Sequence, residues 1–407
     1  MSEPLATPTS RALYERAQAV IPKGVYGHYG PAVIEDGPVF FSSAEGARFT
    51  DVDGNSYIDW MCAYGPNILG YNHPAVEEAA EKQAADGSTV SLAAPVMVDL
   101  AEELVDLVDG ADWTLFGKNG ADATGLAVMV ARAATGRRYI LKIQGGYHGS
   151  APWMQAPGNK GTIAEDQAFV IEVPWNDADA VQAAIDAHSG DIACFISSPY
   201  HHPVFADNEQ PADGYWAAVE GACRAAGVVV ILDDVRSGFR IDLAGSHVAY
   251  GFAPDLMCFG KAIGNGHPIA ALAGSESLKQ VAGETFFTGT QFFNAAPMAA
   301  ALATLRELRS CDAAAAATET GVRLDDALTD VAAAHGHELR VTGVPAMPYF
   351  RIIGPGGSRF HARWVAECIR RGAYLLSYHN SFVCTAHTDD DIKRTCDIAD
   401  AAFAALD

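Results

Sequence analysis

The sequence predicts an α/β fold whose large domain is built on a mostly parallel, seven-stranded sheet. From about residue 73 to 304, short apolar runs alternate with Ala-rich amphipathic segments. This alternation is typical of parallel strands joined by helices that cover both faces of a sheet. The apolar runs also have the length and the β-rich composition of strands that are buried on both faces. The seven runs are 113–116, 139–143, 168–173, 192–197, 228–232, 256–259 and 269–273.

Around this core the sequence predicts three parts. Residues 1–63 should form an N-terminal segment with a short helix and a β-meander, and residues 64–304 the large domain. Residues 305–407 should form a smaller α+β domain, with helices near 312–335, 360–371 and 389–406 and a strand at 347–353. The helices expected to cover the large sheet are 75–86, 96–108, 121–135, 178–188 and 215–226.

Charge and composition exclude several classes of partner. The 407 residues carry a formal net charge of −23, which argues against nucleic acid and anionic membranes as partners. No apolar run approaches the roughly 20 residues that span a bilayer. The eight cysteines are scattered without a C-x-x-C pair, which predicts buried free thiols in a reducing compartment. We therefore expect a cytoplasmic protein.

Two opposite charges stand at the ends of two predicted neighbouring strands. Asp233 follows the apolar run 228–232, and Lys261 follows the run 256–259 and precedes a glycine-rich turn. Ligands of parallel sheets bind at the carboxyl ends of strands. The hypothesis is that Lys261 carries pyridoxal 5′-phosphate (PLP) as a Schiff base and that Asp233 holds the ring nitrogen protonated. Taken alone, Asp233 is equally consistent with a helix cap or a salt bridge, and Lys261 with a surface lysine.

A phosphorylated flat ring also needs an anion site and a stacking partner. Gly117 and Gly120 lie in a glycine-rich turn between a predicted strand and a helix, a geometry that aims N–H groups at an anion. A second candidate anion site is Thr288-Gly-Thr290. Tyr147, after the run 139–143, could stack on the ring or simply pack near a loop. The sequence contains no G-x-S-x-G, H-E-x-x-H or G-x-G-x-x-G motif in a suitable context.

Eight motifs occur in a characteristic order. They are TDVDGNSYID at 50–59, GPNILGYNHP at 65–74, ATGR at 134–137, GYHG at 146–149, LDDVRSGFR at 232–240, GKAIGNG at 260–266, GT at 289–290 and AHTDDD at 386–391. Through them the chain, from about residue 21 onward, resembles class III PLP-dependent aminotransferases of fold type I. The resemblance is strongest to the glutamate-1-semialdehyde aminomutase-like members.

The resemblance implies roles for particular residues. Lys261 would be the Schiff-base lysine and Asp233 the partner of the pyridine nitrogen. Thr290 would bind the phosphate held by the neighbouring subunit, which implies a homodimer with shared active sites. The remaining residues implied to contact the cofactor are Gly120, Ala121, Tyr147, His148 and Val235. The resemblance also implies a small α+β domain built from both termini.

Departures from the family concern the substrate. The phosphate turn usually reads NSGTEA but is KNGADA here at 118–123, and the segment 24–30 lacks the aminomutase's carboxylate-binding arginine. A glutamate-1-semialdehyde substrate is therefore not expected. Arg236 and Arg351 are the candidate cations for a substrate carboxylate, and each can also be an ordinary surface or salt-bridge residue. The other candidate substrate residues are Tyr26, Tyr29, Tyr64, Tyr200, His201 and His379, and His28, His202, Phe292, Phe293 and Tyr378 could line the same pocket.

These residues would suit an aromatic or hydroxylated amine. The sequence predicts an aminotransferase that moves an amino group between an amine or amino acid and a keto acid or aldehyde. Two alternatives stay open at this point. One is a PLP-dependent isomerase, either an aminomutase or a racemase, because it would use the same lysine. The other is a non-catalytic scaffold with the fold of a PLP enzyme.

Overall fold

The computed structural model describes residues 4–27 and 37–406. Its helices are α1 (Pro8–Gln18), α2 (Pro74–Asp86), α3 (Val96–Leu107), α4 (Gly120–Thr135), α5 (Ala178–Ala187), α6 (Tyr215–Ala226), α7 (Ser246–Tyr250), α8 (Glu276–Glu284), α9 (Ala295–Ser310), α10 (Ala313–Ala334), α11 (Gly357–Arg370) and α12 (Asp389–Ala404). Its strands are β1 (Phe41–Glu45), β2 (Arg48–Asp51), β3 (Ser56–Asp59), β4 (Trp113–Gly117), β5 (Tyr139–Ile143), β6 (Val170–Val173), β7 (Ile192–Ser197), β8 (Val229–Asp233), β9 (Leu256–Phe259), β10 (Ala270–Gly274), β11 (Glu338–Val344), β12 (Met347–Ile353) and β13 (Ala373–Tyr374).

The largest sheet has seven strands in the order β4-β10-β9-β8-β7-β5-β6. Neighbouring strands from β9 to β6 run parallel, whereas β10 pairs antiparallel with both β4 and β9. Every residue of β7, β8 and β9 is buried, as expected for central strands covered on both faces. The predicted mostly parallel, seven-stranded sheet is confirmed.

The described residues form two compact units. The small unit comprises the described residues of Met1–His73, Val204–Asp207 and Ala315–Asp407, and the large unit comprises Pro74–Pro203 and Asn208–Ala314. The small unit contains the four-stranded sheet β1-β2-β3-β13 and the hairpin β11-β12. It is the α+β domain from both termini that the resemblance implied. The division expected at residues 63 and 304 stays a prediction.

Helix α4 packs against the central strands of the large sheet, and its sequence determines where the helix begins and ends. Asn119 and Asp122 form a capping box at its first turn, and Gly136 ends it in the left-handed conformation. Its buried face is made of small and branched residues, Leu126, Val128 and Val130 among them. These residues belong to the same apolar cluster as residues of β5, β7, β8 and β9. The helix N-terminus is thereby fixed beside the ends of the central strands.

The small unit has its own core, in which Trp60 and Trp364 are almost completely buried. The indole N–H of Trp60 donates to Thr395 Oγ1 at 2.9 Å, which ties the strand region near β3 to α12. The first turn of α12 is fixed by a capping box between Thr388 and Asp391. These contacts join the N-terminal and C-terminal segments of the chain into one unit.

Two elements that the sequence analysis did not predict are β11 and α8. β11 alternates charged and apolar residues, as in Glu338 and Arg340, and becomes a strand because it pairs along its length with β12. α8 is short and polar, with Leu278 and Ala282 as its buried residues. Across residues 4–27 and 37–406, no helix combines the length and the apolar character needed to cross a membrane.

Candidate active site

The site lies in the large unit where β8 and β9 end. The two strands run parallel, and Asp233, the last residue of β8, pairs in register with Cys258 of β9. Lys261 follows two residues after the end of β9 and begins a short 3₁₀ turn over Lys261–Gly264. The structure thus places the carboxylate and the amine at the same edge of the sheet, where ligands of such sheets bind.

The Asp233 carboxylate is 6% exposed and held by two donors. The Nδ1–H of His148 donates to Oδ2 at 2.7 Å, and the backbone N–H of Val235 donates to Oδ1 at 3.2 Å. Each carboxylate oxygen can accept a further hydrogen bond. A ring N–H of a cofactor fits this arrangement because it would complete the set of donors around a fixed anion.

His148 is the residue whose role the sequence did not reveal. It is 2% exposed, and its Nε2 atom is buried without a hydrogen-bond partner among the described residues. Its backbone carbonyl accepts a hydrogen bond from Thr124 Oγ1 of α4 at 2.6 Å. The sequence analysis expected His148 to contact the cofactor but not Asp233, because the contact with Asp233 joins residues 85 positions apart. His148 orients the carboxylate.

The amine of Lys261 lies in an environment that favours its neutral form. Burial and the charges of Arg236 and Arg240 together lower its pKa from 10.5 to about 7, although the charge of Asp233 opposes them. A neutral amine is the form that attacks a carbonyl carbon. Lys261 also has a φ of 45°, in the left-handed region, which costs a non-glycine residue of order 1–3 kcal/mol. Such strain is typical of functional sites.

Glycines allow three chain segments to approach one another closely around Val235. A Cβ atom at Gly120 would lie 2.7 Å from a methyl group of Val235, and one at Gly260 would lie 3.1 Å from the same methyl carbon. A Cβ at Gly149 would lie 2.8 Å from the Cβ of Ala121. A side chain at Gly120 or Gly149 would therefore displace its neighbours, and Gly260 leaves little room for one. The isopropyl group of Val235 provides an apolar surface between Asp233 and the turn before α4.

The turn before α4 is already shaped for an anion. Asp122 accepts the backbone N–H groups of Lys118 at 2.9 Å and Asn119 at 2.8 Å. The N–H groups of Gly120 and Ala121 start the helix, where no helical carbonyl can accept them. The Nζ atom of Lys118 is buried without a hydrogen-bond partner among the described residues, and burial lowers its pKa to about 8.

The other residues expected to contact the cofactor are more exposed. Tyr147 is 58% exposed after the end of β5. Thr290 is exposed and lies in the turn that precedes α9. An exposed ring is available to stack on a flat ligand, and an exposed hydroxyl is available to a second copy of the chain.

The loop after β7 brings Tyr200 and His202 near Arg236, and His202 also near Lys261. Tyr200 is fully buried, its hydroxyl has no hydrogen-bond partner in the described chain, and burial raises its pKa to about 12. The pKa of His202 lies well below 6.5 because of burial and the nearby charges of Arg236 and Lys261. The Nε2 atom of His202 is likewise buried and has no partner within the described part of the chain.

His201 faces another way, as expected for adjacent residues in extended chain. Its ring stacks on Trp175 with a centroid distance of 6.0 Å, and its backbone pairs with Glu209. Burial lowers its pKa, against the charge of Glu209. Of the two adjacent histidines, His202 is the one near Lys261, because the charge of Lys261 acts on the pKa of His202 and not on that of His201.

Four of the expected substrate residues belong to the small unit. The rings of Tyr64 and His379 meet edge to face at 5.3 Å. Arg351 is paired with Asp207, with Nη2 and Oδ2 2.5 Å apart. Tyr26 is 75% exposed. Tyr29 and His28 lie outside the described residues.

Comparisons with known proteins agree with this geometry. The family model described as Aminotransferase class-III matches residues 32–388. The chain is 41% identical over 395 residues to an aminopentol aminotransferase of Sphingopyxis macrogoltabida, covering 97% of this chain and 93% of that protein. It is 33% identical over 436 residues to a glutamate-1-semialdehyde 2,1-aminomutase of Chloroflexus aggregans, covering 98% of each chain. Its fold matches the PLP internal aldimine form of the FumI protein of Sphingopyxis sp. MTA144, with a TM-score of 0.94, 40% identity and coverage of 98% and 96%.

The chain belongs to the class III aminotransferase family. It has the fold of fold type I PLP enzymes, and its cofactor is pyridoxal 5′-phosphate. The predictions of family, fold, cofactor and aminotransferase activity are confirmed. The non-catalytic alternative is thereby set aside.

Proposed function

We propose that Lys261 is the residue that holds PLP covalently and that Asp233 binds its ring nitrogen. The observation that carries this proposal is a half-buried lysine, with its pKa lowered to about 7, at the same sheet edge as a buried carboxylate fixed by His148. When bound, PLP supplies an aldehyde that condenses with amines and a cationic ring that accepts the electron pair of a broken C–H bond. Asp233 would keep the ring nitrogen protonated, and the Lys261 amine would accept the proton from the substrate carbon.

Residues around Lys261 and Asp233 would contact the ring and the phosphate of PLP. Val235 would pack on one face of the ring and Tyr147 on the other. The N–H groups of Gly120 and Ala121 would hold the phosphate, since unpaired N–H groups at a helix start favour an anion. The buried amine of Lys118 lies in the same turn, where the family usually has asparagine, and would add a positive charge to the phosphate site.

The cation proposed for a substrate or acceptor carboxylate is Arg236. It is half-buried in the large unit, near enough to Lys261 and Tyr200 to influence their pKa values. Arg351, the other candidate, is paired with Asp207 at 2.5 Å. Arg236 is the better candidate because its charge acts directly on Lys261 and His202, in the same unit as the proposed site.

We infer an amino donor with hydroxyl groups. Tyr200 and His202 offer buried polar atoms without partners among the described residues, both near Arg236, and His202 also lies near Lys261. Such atoms are costly unless a ligand satisfies them. The 41% identical relative is named for aminopentol, which supports a hydroxylated donor. The aromatic donor suggested by the sequence remains a candidate, and an acceptor keto acid or aldehyde completes the reaction.

The second candidate function is an isomerase, because a glutamate-1-semialdehyde 2,1-aminomutase is 33% identical to this chain over nearly its whole length. An aminotransferase given an amine but no acceptor should release one carbonyl product per site and stop. An isomerase would continue to turn over under the same conditions. Product well beyond one equivalent would therefore replace the aminotransferase assignment by an isomerase.

The variant Lys261→Ala should abolish the first turnover. Lys279, an exposed lysine paired with Glu276 at 3.0 Å, provides the matched control. Lys279→Ala should retain the full first turnover. If Lys261→Ala transferred the amino group at the wild-type rate, Lys261 would not be the catalytic lysine.

We also propose a homodimer with shared active sites, located in the cytoplasm. Thr290, exposed before α9, would bind the phosphate held by the partner subunit. Thr290→Ala should weaken PLP binding about fivefold, the equivalent of one hydrogen bond of about 1 kcal/mol, whereas Thr288→Ala should not. A monomer in size-exclusion chromatography with light scattering would contradict the proposed homodimer.

The eight free cysteines, six of them buried, support a reducing compartment such as the cytoplasm.

A further inference from the structure

Two cysteines and a histidine meet in the core of the small unit, in a cluster that the aminotransferase chemistry does not use. Cys62 and Cys384 are each 1% exposed and His387 is 5% exposed. The two sulfur atoms and Nδ1 of His387 all lie within 4.8 Å of one another. Cys384 Sγ is 3.3 Å from Nδ1, and the side chains of Cys62 and Cys384 are hydrogen-bonded to each other.

The backbone keeps the two thiols adjacent. The N–H of Phe382 donates to the carbonyl of Trp60 at 2.7 Å, and the N–H of Thr385 donates to the carbonyl of Ile68 at 2.8 Å. The thiol of Cys62 also lies 3.3 Å from the carbonyl oxygen of Phe382. These contacts bind the segment around Cys62 to the segment around Cys384 on both sides of the cluster. A bond between the two sulfur atoms would therefore link segments that are already joined.

The chain at Cys62 is strained. Cys62, Ala63 and Tyr64 have φ values of 44°, 54° and 65°, three consecutive non-glycine residues in the left-handed region. Each such residue costs of order 1–3 kcal/mol. The next residue, Gly65, packs so closely on the ring of Phe382 that a Cβ would lie 2.7 Å from it. Strain of this kind persists where the surroundings fix the conformation, and here it fixes the position of the Cys62 thiol.

Charges around the cluster favour a thiolate at Cys384. The pKa of Cys384 lies well below its ordinary value because Cys62 donates a hydrogen bond and His387 lies beside it, both acting against burial. Burial lowers the pKa of His387, but the charges of Cys384, Asp391 and Asp59 raise it above its ordinary value. Asp59 in turn accepts a hydrogen bond from the Tyr71 hydroxyl. The thiolate is the reactive form of cysteine.

We propose that Cys62 and Cys384 are a peroxide-oxidisable dithiol, with His387 as the base for Cys384. The geometry of three converging side chains carries the inference, which does not depend on the catalytic roles of Lys261 or Asp233. Such a site would take a small oxidant such as hydrogen peroxide, because the sulfur atoms are buried. It would act as a sensor of oxidation rather than as part of amino-group transfer.

The reaction balances in two steps. His387 Nδ1 takes the proton of Cys384, and the thiolate sulfur attacks one oxygen of hydrogen peroxide, so that the O–O bond breaks. Cys384 becomes a sulfenic acid, and the leaving hydroxide takes the proton from His387 to form water. The Cys62 sulfur then attacks the Cys384 sulfur, the S–O bond breaks, and hydroxide leaves with the Cys62 proton as a second water. The two cysteines are oxidised to a disulfide, and the peroxide is reduced.

A metal ion is the other ligand such a cluster could take, and the hydrogen bonds disfavour it. Nδ1 of His387 faces one residue, Cys384, whose backbone N lies 3.0 Å away and whose Sγ lies 3.3 Å away. A metal-bound histidine almost always donates its other ring N–H to a partner, but Nε2 of His387 is buried without one among the described residues. The imidazole is therefore arranged to accept a proton from Cys384.

The test exposes the full-length holoenzyme to a brief pulse of hydrogen peroxide, followed by denaturation, alkylation and peptide mapping by mass spectrometry. The expected product is a Cys62–Cys384 cross-linked peptide that is lost on reduction, while the other six cysteines stay alkylated. The exposed Cys311 provides an internal comparison. Oxidation of Cys311 with Cys62 and Cys384 still alkylated would overturn the proposal, and this wild-type map requires no variant.

Variants separate the two steps. In Cys62→Ser the reaction should stop at a sulfenic acid on Cys384 that dimedone traps, whereas Cys194→Ser, which removes a buried thiol of β7, should leave cross-linking unchanged. His387→Gln should slow oxidation roughly thirtyfold near neutral pH, because an ordinary thiol is only a few per cent ionised there. Unchanged rates in that variant would remove His387 as the base. Stoichiometric zinc in the purified enzyme, lost in Cys384→Ser, would replace the dithiol by a metal site.

Discussion

The pKa of Lys261 predicts how PLP should return to the cofactor-free enzyme as pH changes. The amine must be neutral to bond covalently to the cofactor aldehyde. With a pKa of about 7, half of the Lys261 amine is neutral at pH 7, against about 0.03% for a lysine with the ordinary value of 10.5. Burial and the nearby arginines should therefore raise the reactive fraction more than a thousandfold at that pH.

The assay strips the enzyme of cofactor, adds PLP, and follows the absorbance of the bound cofactor from about pH 6 to about pH 10. The expected rate rises to a plateau with a midpoint near pH 7. N-acetyl-lysine treated in the same buffers corrects for the titration of PLP itself. Arg236→Gln should move the midpoint upward, because it removes a cation that lowers the pKa of Lys261. A rate that kept rising above pH 9, as for free lysine, would refute this account of the site.

Three further predictions concern catalysis, substrate binding and stability. Asp233→Asn should lower kcat about thirtyfold, the equivalent of one charge-assisted hydrogen bond of about 2 kcal/mol, and an unchanged kcat in steady-state assays would contradict its role. Arg236→Gln should raise KM for a carboxylate-bearing acceptor about tenfold, while Arg351→Gln should leave it within about twofold, and the reverse order would favour Arg351. Gly321→Ala should reduce the free energy of unfolding by about 3 kcal/mol, because a Cβ there would overlap the backbone carbonyl oxygen of Pro345. Gly283→Ala is the control, because a Cβ there meets no other atom, and it should leave the free energy of unfolding unchanged or raise it. Urea unfolding compares the two glycine variants, and equal stability would refute the packing argument.

Much of the large unit follows from short-range pattern. β7, β8 and β9 are apolar and buried at every residue, so their composition alone identifies them as central strands. Because parallel strands bring their carboxyl ends to one edge, the sequence also placed Asp233 and Lys261 together. The residues that complete the site were harder to identify, because their contacts join distant segments. His148 meets Asp233 across 85 residues.

The small unit shows the same limit. Arg351 stays a candidate for a substrate carboxylate, and the sequence could not show its pairing with Asp207, 144 residues away. β11 begins with an alternation of charged and apolar residues that is too short to identify a strand by itself, and it is fixed by its pairing with β12. Of the adjacent histidines 201 and 202, only the folded chain shows which one faces Lys261. The sequence pattern cannot show which of these residues contact one another, because the contacts form only in the folded chain.

The most direct test of the central claim is reduction of the holoenzyme with borohydride, followed by peptide mapping. Borohydride makes the bond between PLP and its lysine permanent, so the pyridoxyl group marks the residue that holds the cofactor. The prediction is a single modified residue, Lys261, and no modification in Lys261→Ala. A pyridoxyl group on Lys118, Lys142 or any other lysine of the wild-type enzyme would contradict the assignment.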